Sequence, residues 1–134
     1  MPRFSAKSLD RLDTCHPELR RLFLDVVAVH DCTVLEGHRS LERQAELVAE
    51  GKSKVRRSKH NETPSLAVDV APYPIRWDDT ARFVAFGVYV CGRARELGIP
   101  LRWGGDWDGD GDRSDQTFDD LVHFELRGAR REAA

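Results

Sequence analysis

The chain has 134 residues, 40% hydrophobic and 33% charged, a balance that fits one folded domain and not a disordered segment. A formal charge of −2 argues against a dedicated nucleic-acid binder, and no apolar run approaches the length needed to cross a membrane. Three cysteines at unrelated spacings, Cys15, Cys32 and Cys91, fit reduced packing thiols better than a disulfide framework.

Leu9 and Leu12 suggest a short helical turn. Residues 17 to 30 read as an amphipathic helix, with Pro17 at a first helical position and Leu19, Leu22, Phe23, Val26 and Val27 on one face. Thr33-Val34-Leu35 is a short β-type run. Ser40 is the expected N-cap of a second helix, with Leu41, Ala45 and Val48 on its buried side and Gly51 at C′. The basic stretch Lys52, Lys54, Arg56, Arg57 and Lys59 reads as a solvated loop in preference to an anchor for an anionic polymer. Leu66 to Ala71 reads as a strand ended by Pro72 and Pro74. Asp78 or Asp79 caps a long helix to about Leu97, closed by Gly98 and Pro100. Leu101-Arg102-Trp103 is a short strand candidate, and Val122 to Leu126 is the last strand. Residues 104 to 119 form a Gly/Asp loop too long for a mere connector. Helices and strands do not alternate regularly, so the expected fold is α+β, a small antiparallel sheet packed with helices, in a single domain over 1–134.

Two segments carry the chemistry. One is Ser58-Lys59-His60 with Ala67-Val68-Asp69; the other is Asp120-Leu121-Val122-His123. Asp69 lies between two β-branched apolar residues, and a buried carboxylate there needs a partner. Taken singly, Asp69 pairs with an arginine and His60 is a loop histidine. Taken together, His60, Asp69 and His123 make a two-histidine, one-carboxylate set of the kind that leaves a catalytic zinc one open position. Asp120 is then left to handle a proton of the attacking water.

These motifs resemble the M15 family of zinc peptidases, and Trp103-Gly104-Gly105-Asp106-Trp107 with His123-Phe124-Glu125-Leu126 is similar to its phage endolysin branch. Gly37-His38-Arg39-Ser40-Leu41-Glu42-Arg43-Gln44 resembles the family's upstream arginine motif. The resemblance implies the D-Ala-D-Ala carboxypeptidase/Hedgehog-like fold with zinc in a cleft on the sheet. It implies His60, Asp69 and His123 as zinc ligands, Asp120 as catalytic acid/base and Arg39 as the group that steadies the scissile carbonyl oxygen. Ser58 and Trp103 are carried as substrate-side residues. The spacer from His60 to Asp69, with Pro64 in it, is longer than the family's usual one, and the base is Asp where many members have Glu. The implied function is hydrolysis of the peptidoglycan stem peptide, at the L-alanyl-D-glutamate bond, for host lysis. The alternatives are a D-Ala-D-Ala carboxypeptidase and a non-catalytic zinc-stabilised binding module.

The segment Asp106-Trp107-Asp108-Gly109-Asp110-Gly111 looks like half of a calcium loop, but its twelfth position is Thr117 and not a bidentate Glu. Asp108, Asp110 and Asp112 remain a candidate Ca2+ site, beside the alternative of a turn-rich solvated loop. Peptidoglycan is the expected partner, with no nucleic acid, no membrane insertion and a monomeric state. No signal peptide is visible after Met1-Pro2-Arg3-Phe4-Ser5, so the expected location is the cytoplasm until release to the wall. No separate wall-binding domain is expected.

Overall fold

The computed structural model describes residues 2–53, 57–106 and 120–128. The elements are α1 (Ala6–Leu12), α2 (Pro17–Val29), β1 (Cys32–Glu36), α3 (Leu41–Ala49), a 3-10 turn (Lys59–Asn61), β2 (Ala67–Pro72), α4 (Thr80–Leu97), β3 (Leu101–Trp103) and β4 (His123–Leu126). The strands form one antiparallel sheet in the order β1-β2-β4-β3. The architecture is the expected α+β arrangement of a small antiparallel sheet with helices.

Local chemistry explains the boundaries. His16, not a serine or aspartate, caps α2, its Nδ1 accepting from the Glu18 amide at 3.1 Å ahead of Pro17. Asp79 caps α4 by accepting from the Arg82 amide, and Gly98 ends that helix at φ 72°. Ser40 caps α3 as expected.

One face of the sheet packs on α2 and α4. Phe124 is fully buried there, edge-on to Phe23 at 5.3 Å between centroids and to Phe86 at 6.2 Å. Val68, Val70 and Leu126 join it, with Leu19, Leu22, Val26 and Val90 from the helices. A bidentate pair from Arg93 to Asp25, both bonds 2.8 Å, ties α4 to α2 at the rim.

Helix α3 departs from expectation. Leu41 is half exposed and Ala45 is exposed, while Gln44 is fully buried. The apolar period pointed to the wrong side because a buried guanidinium, described below, needs an acceptor there. Cys15 and Cys32 are buried, Cys91 partly so, and all three are free. Burial pushes the Cys15 and Cys91 thiols to about 11 and Cys32 to about 12, so they are inert packing groups. No helix among the described residues is long and apolar enough to cross a membrane.

Candidate metal centre

The second face of the sheet is polar, and strand register assembles it. Asp69 of β2 lies opposite His123 of β4, and Glu36 of β1 lies opposite Asp69 on its other side. A bulge between Val34 and Glu36 sets that last pairing, so three chemically active residues share one row across three strands. Strand alternation sends Phe124 to the core and leaves His123 and Glu125 on the polar face.

His60 reaches the row from the 3-10 turn. Ser58 caps this turn, its Oγ accepting from the His60 amide at 3.1 Å. The Asn61 side chain closes it, accepting from the Ser58 amide at 2.7 Å and donating to the Arg39 carbonyl at 2.8 Å. The segment from His60 to Asp69, which contains a cis Thr63–Pro64 bond, is pinned by Ser65. The Ser65 amide donates to the Thr14 carbonyl, and its own carbonyl accepts from the His16 amide. The longer spacer therefore leaves the position of His60 well determined.

The outward ring nitrogen of each histidine is assigned by its neighbour. His60 Nδ1 lies 2.7 Å from the Gly37 carbonyl, which can only accept, so Nδ1 carries the hydrogen. His123 Nε2 lies 2.8 Å from Glu125 Oε1, a carboxylate, and donates to it likewise. The remaining nitrogens turn inward: His60 Nε2 is 3.1 Å and His123 Nδ1 is 3.3 Å from the same oxygen, Asp69 Oδ1. Each imidazole thus commits one hydrogen outward and turns its other nitrogen toward the same carboxylate oxygen, an arrangement suited to a cation. One donor atom from each of these residues lies within 4.8 Å of the others, so the group could hold a metal ion. The edge of a tetrahedron with zinc–nitrogen arms of ~2.0–2.1 Å is ~3.3–3.4 Å, close to the two shorter separations. Gly37 has to be glycine for this carbonyl to be in place. A Cβ there would stand 2.3 Å from the Arg11 carbonyl and from Thr14 Oγ1.

Proton equilibria agree with a site built for a cation. Burial alone would raise Asp69, but hydrogen bonds from His123 and His60 outweigh it and hold the carboxyl well below its usual range. Burial alone would lower His123, yet hydrogen bonds to Asp69 and Glu125 bring it up to about 9. Glu125 is held at about 2, its burial overcome by His123 and then by Lys59, whose Nζ is 3.2 Å from Oε2. Lys59 is therefore part of the support for His123 and is not a solvated loop residue.

Asp120 belongs to the same electrostatic neighbourhood. Its pKa is raised, first by burial and then by the charge of Asp69, with His123, His60 and Arg39 pulling the other way. Its backbone is held from both sides: its amide donates to the Gly104 carbonyl at 3.0 Å, and its carbonyl accepts from the His123 amide at 3.1 Å. A Cβ on Gly104 would stand 2.1 Å from the Asp120 carbonyl oxygen, so only glycine admits this approach.

Arg39 reaches the same row. Its guanidinium donates to Gln44 Oε1 at 2.8 Å and to Glu36 Oε1 at 2.5 Å, and stands 3.9 Å from Asp69 Oδ2. Its Nε–H is buried with no hydrogen-bond partner among the described residues. Burial would lower its pKa, but the Glu36 pair more than compensates, so the cation is permanent.

Of the residues singled out in the sequence, His60, Asp69 and His123 come together, with Arg39 and Asp120 coupled to them. Trp103 is largely buried. It is 3% exposed, stacks on Phe124 at 12° and donates from Nε1 to the Leu121 carbonyl at 2.9 Å. It supports the turn after Asp120 from beneath. Ser58 acts through the backbone of His60. Asp108, Asp110, Asp112 and Trp107 lie outside the described residues. The sequence reading missed Gln44, Glu36 and Asn61, which hold Arg39 and the His60 turn, and it gave Glu125 no role. Only Glu125 had a legible signal, its two-residue spacing from His123 on one strand face.

The comparisons follow the same lines. A family model described as phage L-alanyl-D-glutamate peptidase matches residues 1–127. The L-alanyl-D-glutamate peptidase of Escherichia phage T5 is 33% identical over 134 residues, covering 92% of this chain and 97% of that protein. The crystal structure of the Serratia marcescens L-Ala D-Glu endopeptidase ChiX superposes with a TM-score of 0.76 at 32% identity, over 99% of this chain and 96% of that one.

Proposed function

Because the chain belongs to the phage L-alanyl-D-glutamate peptidase family, we propose that it is a zinc peptidase hydrolysing the L-alanyl-D-glutamate bond of the peptidoglycan stem for host lysis. The observation that carries the metal half of this reading is the convergence of two imidazole nitrogens and one carboxylate oxygen, with the other nitrogen of each ring donating outward. His60 through Nε2, His123 through Nδ1 and Asp69 through Oδ1 would hold the ion. Zinc in such a set polarises a carbonyl and makes water acidic enough to attack near neutral pH.

The remaining steps belong to the chain's own groups. Asp120 takes the proton of the attacking water and returns it to the leaving amine of D-glutamate. A raised pKa suits a carboxyl that has to carry a proton between two steps. Arg39, a permanent cation whose Nε–H has no partner among the described residues, steadies the oxygen on which negative charge develops. Glu36 and Gln44 keep its guanidinium from swinging. Glu125 and the Gly37 carbonyl keep both imidazoles in the tautomer that turns a lone pair inward.

The bond assignment is tested by mass analysis of digested muropeptides. A new N-terminal D-glutamate, with alanine left on the sugar-bearing fragment, is expected. Loss of a terminal D-alanine alone would move the activity to a carboxypeptidase. In the same assay Asp120→Ala should retain the metal, measured by elemental analysis, and lose about 10²–10⁴-fold in kcat. Unchanged turnover would remove the role given to Asp120.

A further inference from the structure

The mechanism leaves one aromatic cluster unused. Trp77 is 65% exposed, and its ring stacks on buried Phe83 at 18° with centroids 5.5 Å apart. Beside it lies a cavity of about 190 Å³ lined by Trp77, Thr80, Phe83, Asp120, Leu121 and Val122. Asp120 is thus a wall of this cavity and a member of the metal-centre neighbourhood at once. The pocket opens directly beside the group that handles the proton.

We propose that this pocket binds the uncharged, N-acylated alanyl side of the scissile bond, with Trp77 as its specificity-determining wall. The inference rests on the peptidase reading above. Of the six lining residues, five are apolar or hydroxyl-bearing and the sole ionisable group is a carboxylate. A substrate half bearing free carboxylates, as D-glutamate does, would meet like charge on a surface that offers no cation. Arg76 and Asp78 flank Trp77 in sequence, and neither lines the cavity. The alanyl half has a methyl side chain and, in the wall polymer, an acyl group on its nitrogen, so it carries no charge. The cavity is far larger than one methyl needs, given that a water molecule takes about 30 Å³ of liquid, and it has room for the acyl group as well. Stacking on Phe83 fixes the Trp77 ring before substrate arrives, so little side-chain freedom is lost on binding.

The test compares an N-acetyl-L-alanyl-D-glutamyl peptide with its N-acetylglycyl counterpart, on wild type and Trp77→Ala. One methyl group in a fitted pocket is worth about tenfold or more in kcat/KM, and the wild type should prefer the alanyl substrate by that factor. In Trp77→Ala the preference should shrink to about twofold, mainly through KM, with bound metal unchanged, while Trp77→Phe keeps most of it. Trp77 is exposed, so its replacement should leave folding intact. Equal losses on both substrates, with the preference preserved, would overturn the pocket and leave the peptidase reading standing. A wild type that cleaves neither peptide would sink the bond assignment and this pocket with it.

Discussion

β2 and β4 present two faces that are about equally buried and held by opposite physics. Toward α2 and α4 stand Val68, Val70, Phe124 and Leu126, all 0–1% exposed. Toward the candidate metal centre stand Asp69, His123 and Glu125, the last two 7% and 8% exposed. On the first face many weak, non-directional contacts share the energy, so volume matters and identity matters less. On the second face each group satisfies a particular partner, and loss of one member strands the others in a poorly solvated place. Neighbouring residues in the chain therefore fail in different ways.

Phe124 and Glu125 make that contrast sharp. Phe124→Ala should cost about 3–5 kcal/mol of stability, because the ring leaves a cavity among Phe23, Phe86 and Trp103. Denaturant titration would read it. Zinc affinity of the fraction that remains folded should change little. A large loss of zinc affinity with stability intact would mean that the two faces are not independent.

Glu125→Gln should do the reverse, with a smaller effect. The amide oxygen can still accept from His123 Nε2, so the imidazole keeps its orientation. Its basicity falls with the lost charge, and Lys59 loses its ion-pair partner. A fall in zinc affinity of about 10–100-fold is expected by competition with a chelator, with a modest change in melting. If affinity holds while the melt collapses, Glu125 is structural and the tautomer argument fails.

How much of each face was legible in the sequence follows from the same difference. The core face was readable because apolar alternation in Val68-Asp69-Val70 and His123-Phe124-Glu125 has a period of two. The helices from 17 and from about 79 were readable from their apolar spacing, Pro17 and Gly98. The three donors and Asp120 were visible as a motif resemblance, not as a periodicity. What supports them was hidden. Gln44 sits at a position where the pattern put polar residues outside, and its burial follows from a guanidinium that folds back from another segment. The bulge that puts Glu36 beside Asp69 leaves no mark in five residues of strand. Trp103 was read toward the cleft because an aromatic beside a Gly-rich loop reads equally well as a strut or a lining. Gly87 and Gly105, whose added Cβ atoms would stand 2.1 Å and 2.3 Å from its ring, decide for the strut.

The smallest effect separates the faces by pH. Apolar packing does not titrate, so with metal removed by a chelator the pH dependence of stability near neutrality should come from the polar face. His123 has its pKa raised to about 9, against about 6.5 for an unfolded histidine. Its contribution is therefore complete below about pH 6.5 and is lost as pH rises through about 9. Asp69 and Glu125 have depressed values, so their contributions hold above the unfolded carboxylate range near pH 4 and are lost on acidification. The chelated protein should melt highest between about pH 4.5 and 6.5 and decline toward pH 9. The buried thiols, raised to about 11 and 12, lie beyond that window. Saturating zinc should flatten the alkaline decline, because the ion takes the place that the His123 proton fills in its absence. A decline that is equally steep with and without zinc would place the titrating group elsewhere and break the link between His123 and the ion.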